Sequence, residues 1–158
     1  MSLLAFFSWC ESLWIGQAIR DSRWLFPAIE SLHLLALAVL GGVVLAVNLS
    51  LLGLGLGRKS AAGLFGDVRP WFLGSVGVML GSGFLLFTSE AVKLYYHGAF
   101  WVKMSALFLS LVFTATVQRR TALADPQRVT LLQSRVVALV SLLLWFLVGS
   151  GGRWIGFS

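Results

Sequence analysis

The chain has 158 residues, 58% of them hydrophobic and only 11% charged, with a mean hydropathy of +0.90. A soluble domain carries roughly a quarter of its residues as charges, so this composition excludes an ordinary soluble fold and points to an integral membrane protein. Apolar residues run without charge from Leu34 to Gly57, Trp71 to Ser89, Met104 to Gln118 and Val136 to Gly152, and roughly twenty residues cross a bilayer core. Four crossings nearly use up the chain. That leaves no room for a soluble catalytic domain, a nucleotide-binding loop or a nucleic-acid-reading module, so the formal charge of +6 is read as membrane topology. The single cysteine, Cys10, excludes an intrachain disulfide and any multi-cysteine metal or iron–sulfur site. Bulky Trp9 before Cys10, and no basic stretch ahead of the first apolar residues, argue against a lipoprotein or secretory leader, so Met1 is expected to be retained.

In chain order, residues 1–22 predict an interfacial amphipathic helix. Leu3, Phe6, Phe7, Cys10, Leu13, Trp14 and Ile19 recur near helical spacing, while Glu11 at mid-segment is costly in hydrocarbon and the tryptophans suit the headgroup zone. Residues 23–158 then predict the four-helix bundle. The first span starts at Pro27, where a first turn tolerates proline, and runs to about Leu56, loosened by Gly53, Gly55 and Gly57 before the basic turn Arg58–Lys59. The second covers 70–96, the third 99–118 and the fourth 133–156, with Asp125, Pro126 and Arg128 in the loop between the last two. The fold class is therefore all-α, an integral membrane four-helix bundle with an N-terminal interfacial helix.

Charge sets the expected orientation. Arg58, Lys59, Arg69, Arg119, Arg120, Arg128 and Arg135 flank two loops against Asp67 and Asp125 alone. The other side holds Arg20, Arg23, Lys93, Lys103 and Arg153 against Glu11, Asp21, Glu30 and Glu90. Basic residues stay cytoplasmic, so both termini are expected outside, in the periplasm of a bacterial inner membrane.

The ionisable residues of the outer helix ends are Glu30 and His33, then Glu90, Lys93 and His97, then Lys103, then Arg153. At about 100° per residue, Glu30, His33, Leu37, Gly41, Val44 and Asn48 share a face of the first helix. Ser75, Met79, Ser82, Leu86, Glu90, Lys93 and His97 share one on the second, Lys103, Ser110, Thr114 and Gln118 on the third, and Arg135, Leu139, Leu142, Phe146, Gly149 and Arg153 on the fourth. Such stripes are expected to face the bundle interior, because charge facing lipid is costly.

His33 admits two readings. Its imidazole can ligate haem iron, with Gly41 and Gly42 leaving room for the macrocycle, or it can join a hydrogen-bonded network with Glu30. His97 is the candidate opposing ligand, and Glu30, His33, Glu90 and His97 together could also form a transition-metal site. Lys103, Lys93 and Arg153 either pair with Glu90 and Glu30 or cradle anionic groups such as haem propionates. Tyr95, Tyr96, Phe100, Trp101 and Trp154 read as an interfacial aromatic belt that would also suit a quinone headgroup, and Gly77-x-x-x-Gly81 allows close helix approach.

The stretches WLFPAIESLHLLALAVLGG, RPWFLGSVGVMLGSGFLLFTSEAVKLYYHGAFWVKM and SLLLWFLVGSGGRWIGF resemble an uncharacterised family of small four-helix bacterial inner-membrane proteins. Where that family's pattern has Asp and Arg after the first-helix glycines, this chain has Asn48 and Ser50. More distantly, SLHLLALAVLGG followed by AFWVKM looks like the first-helix histidine and third-helix lysine of HemJ-type protoporphyrinogen oxidases and CopD-type copper-resistance proteins. That likeness implies a haem or metal role for His33 and Lys103. The expectation is a b-type haem protein with an electron-transfer role, surrounded by membrane lipids, with quinone a candidate partner and assembly into a homo-oligomer or larger complex. The competing expectation is a haem-free accessory subunit, or a small transport or metal-handling module.

Overall fold

The structure, a computed structural model, describes residues 2–54, 61–125 and 128–155. The expected turn at Gly55, Gly57, Arg58 and Lys59, together with Pro126 and the last three residues, lies outside these. Every regular element among the described residues is helical: α1 (Leu3–Glu11), α2 (Trp14–Asp21), α3 (Leu25–Leu51), α4 (Ala61–Ser89), α5 (Ala91–Tyr96), α6 (Gly98–Phe113), a π-helical turn (Thr114–Gln118) leading directly into α7 (Arg119–Leu123), and α8 (Leu131–Ile155). Among the described residues, four helices are long and apolar enough to cross a membrane: α3, α4, the continuous run Gly98–Leu123, and α8. The chain is a multi-pass, all-helical membrane protein in which α3 packs mainly on α4 and α8, and α6 on α8.

Local chemistry sets the helix ends. Helix α3 starts two residues before Pro27, which sits in a first turn whose N–H groups have no intrahelical acceptor, and the Ser22 hydroxyl accepts from the Leu25 N–H at 3.2 Å. It stops at Leu51 rather than continuing to Leu56. Gly53 takes φ +80°, its N–H donates to the Ser50 carbonyl at 3.1 Å, and the Leu54 N–H reaches back to Leu49 at 2.9 Å. This is a Schellman stop, which favours a residue without Cβ. Helix α8 begins at Leu131, two residues earlier than expected, because Thr130 and Gln133 form a capping box: the Gln133 N–H donates to Thr130 Oγ1 at 3.2 Å, and the Thr130 N–H to Gln133 Oε1 at 3.0 Å.

The second span departs most from expectation. Helix α4 begins at Ala61, carries Pro70 within it, and ends at Ser89, so the expected single helix over 70–96 is two helices separated by Glu90. Thr88 and Ser89 turn their hydroxyls back to the Leu85 and Leu86 carbonyls at 2.8 and 2.7 Å, a local alternative to continuing the ladder.

The N-terminal segment, expected as one helix, is also two, broken at Ser12–Leu13, and both cap the α4–α5 break. Arg20 donates to the Ser89 carbonyl at 2.8 Å and the Thr88 carbonyl at 3.5 Å, placing a cation on the C-terminal end of α4. Glu11 Oε2 accepts the Val92 N–H at 2.6 Å at the start of α5, and Arg20 also binds the Glu11 carbonyl at 3.0 Å. Gly16 lies flush on the Thr88 carbonyl, where a Cβ would collide.

Three buried clusters follow one another along the bundle. Phe7, Cys10 and Ala91 fill the capped end with Phe87, Tyr95 and Phe100. Leu40, Val44, Met79, Leu107, Trp145 and Val148 form the middle. Val47, Leu51, Ala122 and Ala138 close the far end. The aromatic belt is correspondingly divided: Phe7 meets Phe87, Tyr95, Phe100 and Trp101 at 5.1–6.2 Å between ring centroids, whereas Tyr96 and Trp154 are exposed.

Gly16→Ala is expected to destabilise the fold by about 1–3 kcal/mol through overpacking, and Arg20→Ala by about 1–2 kcal/mol through lost charge-assisted hydrogen bonds. Both should lower the melting temperature in detergent and open the 12–24 region to protease. Gly74→Ala, whose added Cβ meets nothing within 4 Å, should do neither.

Candidate functional site

Among the described residues, two hydrogen-bonded polar groups link helices inside the bundle, about 22 Å apart along α3 (fifteen residues from His33 to Asn48). At the capped end His33 is buried on α3, with Nδ1 2.9 Å from Ser82 Oγ on α4. Ser82 Oγ lies 2.6 Å from the Val78 carbonyl, to which it donates its proton. An oxygen lone pair then faces His33, which matches the tautomer that carries the imidazole hydrogen on Nδ1 and the lone pair on Nε2. Gly83 adjoins the ring: a Cβ there would come within 3.2 Å of His33 Cε1.

Lys103 on α6 lies within electrostatic reach of His33. Its side chain runs along Gly151 and Gly152 of α8, where added Cβ atoms would stand 3.0 Å from Lys103 Cβ and 3.3 Å from Nζ. It is half-buried, and among the described residues no carboxylate lies within ion-pairing distance of it. Small residues on two helices thus let the His33 ring and the Lys103 side chain pack closely against α4 and α8, which brings an imidazole and an ammonium group to the same end of the bundle, groups that together suit a ligand combining a metal or hydrogen-bond donor with an anionic group.

The remaining candidates sit elsewhere. Glu90 pairs with Lys93 at 3.8 Å, one turn apart and largely in solvent, so such a pair contributes little to stability. Glu30 is exposed, and His33 finds its partner in Ser82 across the helix interface. His97 falls at the α5–α6 junction with its Nδ1 buried, and its backbone flanks α6 at φ −92°, ψ 107°. The breaks at Glu90 and His97 remove it from the phase of α4, so the expected stripe holds for Ser75, Met79, Ser82 and Leu86 and ends there. Arg153 is exposed at the end of α8. Among the described residues, no group of three or more His, Cys, Asp or Glu side chains is placed to hold a metal ion.

Two further expectations need correction. Gly41 and Gly42 are exposed with open space beyond them, so the small residues beside His33 and Lys103 are Gly83, Gly151 and Gly152. On α8 the interior face is Ala138, Ser141, Trp145 and Val148, while Phe146 is 70% exposed and Arg135, Leu139 and Arg153 also point outward. The end arginines reach headgroups and water, and small or hydrogen-bonding residues face the neighbouring helices.

The far-end group was visible only as scattered polar residues. Gln118 Nε2 donates to Asn48 Oδ1 at 3.0 Å, and Asn48 Nδ2 to Ser141 Oγ at 3.1 Å and the Val44 carbonyl at 2.8 Å. One layer deeper, Trp145 Nε1 meets Thr114 Oγ1 at 3.3 Å. Thr114 and Gln118 bound the π-helical turn, so the wider turn is held at both ends by hydrogen bonds to other helices.

These features define a multi-pass helical membrane protein with two buried polar layers. The sequence model of a family of unknown function (DUF6644) matches residues 6–158, and the chain belongs to that family. No curated protein and no solved structure matches the chain, and nothing in these comparisons supports a likeness to the HemJ-type or CopD-type proteins.

Asn48→Leu and Gln118→Leu are each expected to cost about 1–2 kcal/mol, in the range of interhelical hydrogen bonds in membranes. Thermal unfolding in detergent should show the double variant less impaired than the sum of the singles, because either change already breaks the shared bond.

Proposed function

We propose that the protein is a b-type haem-binding membrane protein with an electron-transfer role, and that its site is the His33–Ser82–Lys103 group at the capped end. The observation that carries this reading is the His33–Ser82 contact at 2.9 Å, with the serine proton committed to Val78. It supports the tautomer that leaves Nε2 able to ligate iron, and metal-ligating histidines are typically oriented through their other nitrogen in this way. Lys103 would supply a cation for the acidic groups of a bound haem, Arg153 stands at the same end, and His97 is the candidate second ligand. The haem, when bound, would supply the one-electron chemistry, which the chain's own side chains do not provide. Ser82 orients the imidazole, and the aromatic cluster around Phe7 covers the end of the bundle. A quinone is the proposed partner within the membrane.

On this reading the protein occupies a bacterial inner membrane with both termini in the periplasm, as the basic residues at the far end suggest. The glycines along α4 favour a second reading. Gly74, Gly77 and Gly81 are exposed with open space beside them, as suits an accessory subunit packed against a partner helix, or a homo-oligomer. Purification from native membranes separates the two: a stable, haem-free stoichiometric complex favours the subunit, and a haem-bearing oligomer favours the first reading.

The absorption spectrum is the direct test. Protein expressed with adequate haem supply should show a Soret band that His33→Ala abolishes, while Ser82→Ala should retain haem but bind it about 10–100-fold more weakly. No Soret band in the wild type, or an unaltered one in His33→Ala, defeats the proposal. Orientation is tested with reporter cysteines, read cleanly because native Cys10 is only 2% exposed. In intact cells an impermeant reagent should label Arg23→Cys and spare Arg128→Cys, and the reverse pattern would invert the topology.

A further inference from the structure

The far end of the third span carries a feature unrelated to the haem reading. The run Gly98–Leu123 has 26 residues, about 39 Å of helix against a hydrocarbon core of about 30 Å. Centred in the bilayer, it places the Arg119 and Arg120 backbone about 13–14 Å from the midplane, just inside the hydrocarbon edge at about 15 Å, from where long side chains reach the lipid phosphates. Both arginines are exposed, and among the described residues neither has a carboxylate within ion-pairing distance. With Ala115, Thr116, Leu123 and Ala124 they line an open recess of about 410 Å³.

The recess has a basic end and an apolar wall. Thr116 gives its hydroxyl proton to the Val112 carbonyl at 2.6 Å, so it offers no proton to a ligand. Towards the membrane centre the same helix face continues through exposed Val112 and Phe108. The π-helical turn keeps this arrangement in register. Trp145 holds Thr114 and Asn48 holds Gln118 inside the bundle, so the next two residues are directed out of it.

We propose that this recess binds the phosphate of an anionic glycerophospholipid. Arg119 and Arg120 take the phosphate through charge-assisted hydrogen bonds, with Val112 and Phe108 along the path of an acyl chain. Depth, charge and the adjoining apolar stripe together favour a lipid over a soluble partner, since basic pockets at the ends of membrane helices are suited to such headgroups.

Native mass spectrometry of the full chain in detergent, titrated separately with phosphatidylglycerol and phosphatidylcholine, tests this. Phosphatidylglycerol should be retained preferentially. Arg119→Gln with Arg120→Gln should weaken its binding about thirty-fold, each arginine contributing about fivefold. Arg128→Gln with Arg135→Gln removes the same charge outside the recess and should leave binding unchanged. Replacing both recess arginines by lysine should give a smaller loss, as charge is kept and the bidentate fork is not. Should the glutamine pair fail to fold, the lysine pair and the comparison of the two lipids on the wild type still decide. Equal binding of the two lipids, equal losses in the two glutamine pairs, or displacement of the lipid by millimolar inorganic phosphate would each overturn the assignment.

Discussion

A helix break at the end of a membrane span exposes backbone groups that the protein itself must satisfy when water is scarce, and the architecture of the capped end depends on how this is done at Glu90. The last carbonyls of α4 go to the Arg20 guanidinium and the Val92 N–H of α5 to the Glu11 carboxylate. Each charge also suits the helix end that it meets. Because both partners come from the N-terminal helices, the break and its cap are one unit. The segment that reads as a surface anchor is therefore part of the tertiary fold, and Phe7 and Cys10 are buried against the break.

Within the bundle the same scarcity of water has a second consequence. Lipid is as apolar as leucine, so helices gain little by hiding apolar side chains from it, and their register rests on close packing and interhelical hydrogen bonds. The structure places these in two layers, His33–Ser82 towards one end and Asn48–Gln118–Ser141 towards the other, with Leu40, Met79, Leu107 and Trp145 between them. The far layer has its donors and acceptors engaged among three helices and holds a π-helical turn in place. The capped layer differs, since His33 Nε2 carries a lone pair and Lys103 stands beside glycines with no carboxylate at ion-pairing distance among the described residues. That difference marks the far layer as one whose hydrogen bonds hold the bundle together, and the capped layer as the place of the proposed site.

Much of this was legible in the residues themselves. Four apolar runs of spanning length require four helices, because only helices and closed barrels satisfy their own backbone in hydrocarbon. The polar stripe on the third span also held, with Ser110, Thr114 and Gln118 buried and Lys103 half-buried. The Thr130–Gln133 capping box and the Gly53 stop are local signals that a closer reading of the helix ends would find. The stripe assigned to α8 failed because it followed Arg135 and Arg153, whose long side chains leave the bundle at its ends, instead of Ala138 and Ser141.

The sequence by itself determined the class of protein, the number of spans and the grouping of basic residues at one end, since these follow from length, hydropathy and charge along one dimension. Only the tertiary structure decided that Arg20 and Glu11 meet residues 89 and 92, that His33 turns to Ser82 rather than Glu30, that His97 leaves the phase of α4, and that Gly151 and Gly152 lie along Lys103. Each of these is a contact between chain-distant residues, or a consequence of a break held by such a contact. Helices that are apolar on nearly every face carry too weak a periodicity to announce which side meets a neighbour, so in this protein packing chose the faces.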